Sequence, residues 1–449
     1  MTRIFNVVIP ARVLTLLVSE IILLSGCFLA AAWADPDLTD VGIFLLYDSG
    51  ILRIAIVVGL LILSLFFRNL YAGIRIGSRL RLFQELCIAF GITFIMQAAI
   101  GYLNADLIIP RKMMLGAAVL AVGAMFGWRL LFDTSAREVV PPRKLLFVGL
   151  SPTVAKIAPH LRAHPEIGLT TIGYLESGTP AAGPQPVTRL GTMADLAGVL
   201  DRTVPDSIVI AQREDIRPEW TDEFLALRFA GVQVEEAAAV YERIFARKSV
   251  TDMWPSGEVF ADLTQRGFIG TAIQTVSSWI IALATLILTL PLTLAIAVTI
   301  GIGSRGPILT RERRVGLHGK TFESYRFRSV RENGEVTAVG RFLRRYGLVW
   351  LPQLLNVLTG QMSMVGPRPE RPLFARRMEE LIPVYRQRHT VKPGVTGWAR
   401  VHRRRGDAQD SLIDLEYDLY YLKNFSPLLD FFVLMLSLKT VARPADSAS

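Results

Sequence analysis

Residues 279–300 read WIIALATLILTLPLTLAIAVTI. This run carries no charged residue and is long enough to cross the hydrocarbon core of a bilayer, which takes roughly 20 helical residues. Pro291 lies near its middle and lacks the backbone N–H that the interior of a helix uses. The run is therefore predicted to be a membrane helix that either crosses with a kink or enters the bilayer and returns on the same face.

Four further apolar runs lie in the N-terminal part of the chain and are long enough for membrane spans. They cover residues 13–34, 52–67, 82–103 and 113–132. The first run is long for a signal-peptide core and is followed by more spans, so we expect a retained helix. Residues 1–140 are predicted to form a four-helix transmembrane bundle.

The charges between these runs predict the orientation of the chain. The basic residues are Arg68, Arg75, Arg79 and Arg81 after the second run and Arg137, Arg143 and Lys144 after the fourth, whereas the first loop carries Asp35, Asp37 and Asp40. Because basic segments stay in the cytoplasm, both ends of the bundle are predicted to be cytoplasmic, in the inner membrane of a bacterium. The basic C-terminal part stays on that side if residues 279–300 form a re-entrant helix, which is therefore the prediction.

The composition is that of a membrane protein that binds anionic partners. Of the 449 residues 51% are hydrophobic, yet the formal net charge is +10. Such a chain suits lipid head groups or phosphorylated substrates. No nucleic-acid partner is expected, since the basic residues are spread between apolar runs. Cys27 and Cys87 lie inside apolar runs, so neither a disulfide nor a metal site is expected of them.

Residues 141–250 have the pattern of a small cytoplasmic α/β domain. Short apolar segments predict strands at residues 144–149, 207–211 and 231–234, and residues 153–163 predict a helix. This alternation favours a parallel, Rossmann-like sheet. The turn Gly149-Leu-Ser-Pro152 lacks the spaced glycines of a dinucleotide site, so a structural or regulatory domain is preferred to an oxidoreductase. Residues 251–273 are predicted to be a linker.

Residues 274–449 carry a series of short motifs. They are Gly306-Pro307, Arg314-Val-Gly316, Gly319-Lys-Thr-Phe322, Tyr325-Arg-Phe-Arg328, Gly340-Arg-Phe-Leu-Arg344, Leu351-Pro-Gln-Leu-Leu-Asn-Val-Leu358, Met362-Ser-Met-Val-Gly-Pro-Arg-Pro369 and Lys392-Pro-Gly-Val-Thr-Gly-Trp398. In these motifs the chain resembles the bacterial sugar transferases, also called monotopic phosphoglycosyl transferases. With Glu370-Arg-Pro372 and the N-terminal spans it resembles the large, exopolysaccharide-associated members.

The resemblance implies a mainly helical monotopic domain with a re-entrant membrane helix. It implies a polyprenyl-phosphate sugar-1-phosphate transferase that initiates exopolysaccharide or a similar glycan from a nucleotide-diphosphate sugar. The implied partners are the bilayer, polyprenyl phosphate, this sugar nucleotide and glycan-assembly proteins, and the implied cofactor is Mg²⁺. In the family an aspartate attacks the sugar diphosphate, and the neighbouring glutamate helps to hold the metal.

The two positions of that acidic pair, just before Leu-Pro-Gln, are Val349 and Trp350 here. Valine offers no nucleophile and tryptophan no metal ligand, so no catalytic residue is expected to be intact. Other departures are Gln361 in the family's Gly-Asp-Met-Ser, and Gln274, Thr275 and Ser278 at its Lys-Arg-x-x-Asp. Nearby acids are Glu332, Glu335, Glu370, Asp407, Asp410 and Asp414. Two hypotheses stay open: a transferase that uses another acid, or a non-catalytic homologue that binds substrate or partners.

The C-terminal motifs contain a set of basic residues although the acidic pair is missing. The predicted phosphate-binding residues are Arg314, Lys320, Arg326, Arg328 and Arg368, with Arg344 as a further cation. Arginine forks suit phosphoryl oxygens, and the turn of residues 366–369 would hold Arg368 rigidly. The predicted structural residues are Pro291, Pro352, Gln353, Asn356, Gly366, Pro367, Pro369, Gly394 and Trp398. No metal cluster is predicted.

Two features near the C-terminus predict contact with the membrane surface. Arg403-Arg-Arg405 is a basic cluster that suits anionic head groups. Residues 415–438 are rich in aromatic side chains and predict one amphipathic helix in the plane of the interface. The aromatic residues are Tyr417, Tyr420, Tyr421, Phe425, Phe431 and Phe432.

Overall fold

The computed structural model describes residues 2–4, 7–9, 11–35, 40–71, 78–138, 142–176, 187–211, 220–250, 268–303, 306–331, 334–403 and 410–442. The chain divides into two compact units, residues 1–4 with 8–142 and residues 5–7 with 143–449. Asp37, Arg75, Glu332, Arg404, Arg405 and Asp407 lie outside the described residues.

Four long helices make up most of the first unit. They span Ala11–Ala34, Gly50–Phe67, Arg79–Leu103 and Arg111–Glu138, with the short helices Val41–Leu46 and Ala105–Leu107 between them and the strands Thr2–Ile4 and Val7–Ile9 before them. All four contain a stretch long and apolar enough to cross a membrane. They share one buried apolar cluster, to which Phe28, Leu61, Leu86 and Ala117 belong. The prediction of a membrane protein is confirmed.

A buried ion pair connects three of these helices. Arg129 Nε donates to Glu20 Oε1 at 2.7 Å, and Tyr71 Oη donates to Glu20 Oε2 at 2.5 Å. Arg129 Nη1 also donates to Leu70 O at 3.0 Å. Glu20 is fully buried, and these donors take the place of water at its carboxylate. The pair ties the first and fourth long helices to the end of the second.

A five-stranded parallel sheet forms the first part of the second unit, as the predicted α/β class requires. The strands lie in the order Arg189–Thr192, Leu169–Glu176, Arg143–Val148, Ser207–Ile210 and Gln233–Glu236. The helices Pro152–Ala163, Leu196–Thr203, Thr221–Phe229 and Ala237–Phe245 and the 3-10 turns Pro165–Ile167 and Met193–Asp195 accompany it. Leu145 and Phe147 face one buried cluster and Leu146 and Val148 the other, so both faces of the sheet are covered.

The turn at which a dinucleotide would bind is occupied by the chain itself. Ser151 Oγ accepts from Val154 N at 3.3 Å and caps the following helix. The hydroxyl groups of Thr153 and Ser249 lie 2.9 Å apart, and both residues are buried. These contacts favour a structural role for this turn.

One long helix, Phe268–Gly303, begins the mainly helical part of the second unit. It is followed by the strands Leu309–Val315, Thr321–Phe327, Ser363–Val365 and Gly394–Thr396, the helices Ala338–Arg345, Gln353–Leu358, Pro372–Leu381, Trp398–His402, Ser411–Lys423 and Pro427–Ala442, and the 3-10 segments Leu317–Gly319, Leu348–Trp350 and Pro383–Thr390. The first two strands form an antiparallel hairpin, and the other two pair in parallel.

Pro291 does not end the long helix, which runs through it as 36 continuous residues. Thr289 Oγ1 donates to Thr285 O at 2.7 Å, and Thr293 Oγ1 donates to Thr289 O at 2.8 Å. These bonds end on carbonyl groups other than that of Ile287, which is the one that loses its backbone donor to the proline. Proline therefore removes one donor here without interrupting the helix.

The prediction of a single interfacial helix over residues 415–438 is wrong. The chain turns between Ser411–Lys423 and Pro427–Ala442, which are separate helices. Tyr420 and Tyr421 are buried, and Tyr421 Oη donates to Asp430 Oδ1 at 2.7 Å. These aromatic residues belong to the protein core, because the two helices pack on the rest of the second unit.

A buried carboxylate joins the sheet to the helical part of the second unit. Glu416 Oε2 accepts from Tyr241 Oη at 2.9 Å and lies 3.8 Å from Arg247 Nε. Nearby, Trp398 Nε1 donates to Ala246 O at 2.8 Å. Glu416 is only 1% exposed, so these partners replace the water that its carboxylate would otherwise bind. Burial, followed by repulsion from Glu416, raises the pKa of Tyr241, which keeps its hydroxyl a donor.

Replacing Glu416 tests whether its side chain stabilises the contact between the sheet and the helical part of the second unit. Glu416→Ala removes the acceptor of the Tyr241 hydroxyl and the negative charge that faces Arg247, so we expect it to lower the free energy of unfolding by about 3–5 kcal/mol. Tyr241→Phe removes one hydrogen bond and should cost about 1 kcal/mol. Thermal unfolding of the purified chain in detergent measures both. Equal losses in the two variants would show that the charge of Glu416 contributes nothing beyond that hydrogen bond.

Candidate functional site

A cavity of about 350 Å³ lies in the helical part of the second unit. Its charged lining consists of five arginines and three acids. They are Arg314, Arg368, Arg388, Arg400 and Arg403, with Glu370, Asp414 and Asp418. Guanidinium groups bind phosphoryl and carboxylate oxygens in pairs of parallel hydrogen bonds. The cavity is therefore suited to an anionic ligand, above all a phosphorylated one.

Two backbone segments meet closely at the wall of this cavity. Gly366 N donates to Thr396 O at 2.9 Å, and Gly394 N donates to Pro367 O at 2.9 Å. A Cβ atom on Gly366 would lie 2.5 Å from Lys392 O, and one on Gly394 would lie 2.2 Å from Gly366 N. Neither contact is tolerable, so both positions require glycine. The turn of residues 366–369 is thereby fixed beside the strand Gly394–Thr396.

Two buried arginines hold the carbonyl groups of the same turn. Arg314 Nη1 donates to Pro369 O at 3.1 Å, and Arg388 Nη2 donates to Arg368 O at 3.2 Å. Arg388 also lies 2.7 Å from Asp418, and both side chains are almost fully buried. Burial raises the pKa of Asp418 to about 7, although Arg388 opposes the rise. In this geometry Arg314 and Arg388 position the turn.

Arg368 is the predicted phosphate-binding residue best placed to meet a ligand. Its side chain is exposed and lines the cavity, while its carbonyl group is held by Arg388. The prolines on either side restrict the backbone of the turn. The guanidinium group of Arg368 is therefore presented from a rigid support.

One carboxylate faces three arginines beside the cavity. Glu312 lies 2.6 Å from Arg314, contacts Arg326 closely and lies 3.8 Å from Arg371. Burial, followed by repulsion from neighbouring arginines, lowers the pKa of Arg326 to about 10. Glu370, 4.0 Å from Arg314, is a second carboxylate, so two negative charges face three positive ones and the cluster keeps a small positive excess.

Val349, which the sequence resemblance aligns with the family's nucleophile, is part of an apolar cluster. It is 6% exposed and packs with Ile296, Ile300, Phe327 and Leu343. It does not belong to the residues that line the cavity. The side chain at this position therefore stabilises the contact between the long helix and the elements that follow it.

Trp350, which the sequence resemblance aligns with the family's metal-binding glutamate, lines the cavity. The Cζ atoms of Arg326 and Arg400 lie 4.7 Å and 5.8 Å from the centre of its ring. Both distances are within the range of cation–π attraction. The ring of Trp350 thus lies close to two guanidinium groups, of which that of Arg400 also lines the cavity.

Mg²⁺ does not fit the side chains at this position. The ion binds through oxygen ligands, mostly carboxylates, and Trp350 has none. The guanidinium groups that its ring attracts would repel a divalent cation. Among the residues that the structure describes, no group of three or more His, Cys, Asp or Glu is placed to hold a metal. The arginine side chains around Trp350 are suited to an anion instead.

Two polar side chains of the Leu351–Leu358 motif serve the fold. Asn356 Oδ1 accepts from Tyr325 N at 3.1 Å, and Gln353 Nε2 donates to Ser324 Oγ at 2.8 Å. Both residues are buried. They fix the helix that follows Pro352 to a strand of the hairpin, as expected for structural residues.

Two further departures from the family pattern form neutral hydrogen bonds. Ser278 Oγ accepts from Met364 N at 3.2 Å. Gln361 Oε1 accepts from Asn356 Nδ2 at 2.8 Å. Both side chains therefore support backbone or motif residues without carrying a charge.

The remaining predicted cations lie away from the cavity lining. Lys320 is exposed where the hairpin turns, and Arg328 is buried just beyond the second strand of the hairpin. By contrast, Arg388 and Arg400 line the cavity and were not among the predicted residues. Arg400 lies two residues beyond Trp398, the last residue of a motif. This position next to a motif is the sequence feature from which Arg400 could have been predicted.

Comparison with known proteins identifies the helical part of the chain. Residues 269–444 match the family model described as "Bacterial sugar transferase". An exopolysaccharide production protein PSS from Rhizobium leguminosarum bv. phaseoli is 36% identical over 173 residues, which is 34% of this chain and 86% of that protein.

Two longer relatives carry more specific names. A UDP-N-acetylgalactosamine-undecaprenyl-phosphate N-acetylgalactosaminephosphotransferase from Aeromonas hydrophila is 40% identical over 36% of this chain and 41% of its own length. A UDP-glucose:undecaprenyl-phosphate glucose-1-phosphate transferase from Xanthomonas campestris pv. campestris is 29% identical over 66% of both. The matched part thus spans less than two thirds of either relative.

Proposed function

The chain belongs to the bacterial sugar transferase family, and on this premise we propose that it acts at the initiating step of exopolysaccharide or similar glycan synthesis. In that step a sugar phosphate passes from a nucleotide-diphosphate sugar to polyprenyl phosphate. The arginine-lined cavity at residues 366–369 is the observation that carries the proposal. The names of the relatives support the two substrates and the pathway. Other proteins of glycan assembly are the proposed partners.

A second candidate function, substrate binding without turnover, is favoured by one observation. Val349 and Trp350 occupy the positions of the acidic pair, and the three acids of the cavity lining lie next to arginines. The pairs are Asp418 with Arg388 at 2.7 Å, Asp414 with Arg403 at 2.8 Å and Glu370 with Arg314 at 4.0 Å. A guanidinium group that holds a carboxylate occupies the oxygen lone pairs with which the carboxylate would attack a phosphoryl group.

For the membrane placement we propose a four-helix bundle in the bacterial inner membrane, with the soluble parts on the cytoplasmic side. The long helix Phe268–Gly303 would then enter the bilayer and return to the same side. The basic segments around Arg79 and Arg143 support this orientation. The helix is apolar enough to span a membrane, so its continuity through Pro291 leaves crossing as the competing path.

Cysteine labelling tests the placement. We expect a cysteine introduced at Lys320, in a chain lacking Cys27 and Cys87, to react only from the cytoplasmic side, because the re-entrant path returns the chain there. A cysteine at Asp40 should react only from the periplasm and is the matched control. Labelling of position 320 from the periplasm would establish that the long helix crosses the membrane.

Ligand binding tests the role of the cavity. Calorimetry of the purified chain with UDP-glucose or UDP-N-acetylgalactosamine should show binding, and Arg368→Ala should weaken it by about tenfold, as expected for one charge-assisted contact. Arg377→Ala removes an exposed arginine outside the cavity lining and is the matched control. If both variants bind as the wild type does, Arg368 is not part of the binding site.

Trapping experiments address the chemistry. We expect no covalent sugar-phosphate adduct at positions 349 and 350, since neither side chain has an atom able to carry the phosphoryl group. Intact-mass spectrometry after incubation with UDP-sugar, Mg²⁺ and polyprenyl phosphate measures this. Transfer of labelled sugar to the lipid fraction would favour a transferase that uses another acid, whereas binding without transfer would favour the second candidate. An adduct mapped to position 349 or 350 would refute the expectation.

A further inference from the structure

One carboxylate in the wall of the cavity is almost completely buried. Asp418 lines the cavity but is only 1% exposed, and its Oδ2 atom accepts no hydrogen bond from the residues that the structure describes. Arg388 Nη2 lies 2.7 Å from this atom, but the same guanidinium group also donates to Tyr385 Oη and to the carbonyl oxygen of Arg368. The cation beside Asp418 is therefore shared with two other acceptors.

Two further carboxylates belong to the same cavity wall. Asp414 lies one helical turn before Asp418 on the helix Ser411–Lys423, and Glu370 follows the turn of residues 366–369. Both repel the Asp418 carboxylate. Burial, followed by this repulsion, raises the pKa of Asp418 to about 7, although Arg388 opposes the rise. The cavity therefore contains a carboxyl group that exchanges its proton near neutral pH.

The other titratable side chains around Asp418 keep their protonation near neutral pH. Burial lowers the pKa of His389 to about 4 and also lowers the pKa of His402, so both rings are neutral. Burial raises the pKa of Tyr385 to about 12. Glu416, on the same helix as Asp418, accepts a hydrogen bond from Tyr241 of the sheet domain. The arginines that share the cavity with Asp418 stay charged, and they are Arg314, Arg368, Arg388, Arg400 and Arg403.

We propose that binding of a phosphorylated ligand in the cavity is coupled to the uptake of one proton by Asp418. The ligand adds negative charge beside three carboxylates, which disfavours the ionised form of the one that is least accessible to water. Protonation removes that charge and gives the carboxyl group an O–H donor. Arg388 keeps its bonds to Tyr385 and to the turn, so no cation has to be released.

The inference rests on the proposed function for its ligand, a nucleotide-diphosphate sugar, and goes beyond it by making affinity depend on pH. Below the pKa of Asp418 in the free protein, about 7, the carboxyl group is already protonated and the Kd should not change with pH. Above that pKa, each pH unit should raise the Kd by up to about tenfold, because one proton must be taken up with the ligand.

Calorimetry of the full chain in detergent counts the proton. UDP-glucose is titrated in two buffers that differ in ionisation enthalpy. Both phosphates of this ligand are esterified and hold no proton near neutral pH, so a proton that is counted enters the protein. We expect uptake of at least about half a proton per bound ligand at about pH 8, and a Kd several-fold higher there than at about pH 6. Binding without proton uptake and with the same Kd at both pH values would overturn the inference and leave the proposed function intact. The absence of UDP-glucose binding at both pH values would overturn both.

Variants assign the proton to its group. The amide of Asp418→Asn has the shape of the protonated acid and never ionises, so we expect no proton uptake and a Kd that does not change with pH. Glu380→Gln removes an exposed acid outside the cavity lining and should keep the proton uptake of the wild type. Proton uptake that persists in Asp418→Asn would belong to another group and would overturn the inference. The wild-type titration needs no variant, so the absence of proton uptake there overturns the inference even if Asp418→Asn does not fold.

Discussion

The geometry of the candidate site depends on one close contact of the backbone. At Gly366 and Gly394 the chain passes itself so closely that neither position has room for a Cβ atom. Hydrogen bonds across this contact align the turn of residues 366–369 with the strand Gly394–Thr396. Arg314 and Arg388 then bind the carbonyl groups of the turn. The exposed Arg368 is thus held by glycine packing, by proline and by two buried cations, none of which needs the ligand.

The helix Ser411–Lys423 connects this site to the sheet domain. Asp418 on one side of the helix pairs with Arg388 under the turn, and Glu416 on another side accepts from Tyr241 of the sheet domain. Both acids are nearly inaccessible to water, so both depend on their partners for a stable charge. The sheet domain therefore contributes to holding the helix that supports the cavity wall.

Sequence patterns predicted those features that depend on neighbours along the chain. Long apolar runs located the membrane helices, and alternating strands and helices indicated the parallel sheet, although the polar strand Leu169–Glu176 escaped prediction. The motifs located Arg368 and the structural residues around it. Arg388, and the stacking of Arg326 on Trp350, arise from tertiary packing that no spacing rule describes. The prediction of one interfacial helix over residues 415–438 failed, because aromatic side chains that suit a membrane surface, such as Tyr420 and Tyr421, pack in the protein core.

The burial of Val349 has a consequence for placing an acid at this position. An aspartate there would be surrounded by Ile296, Ile300, Phe327 and Leu343, and taking a carboxylate out of water costs several kcal/mol. An acid introduced at position 349 alone would therefore be opposed by folding. It would be accommodated only if the surrounding apolar residues changed with it.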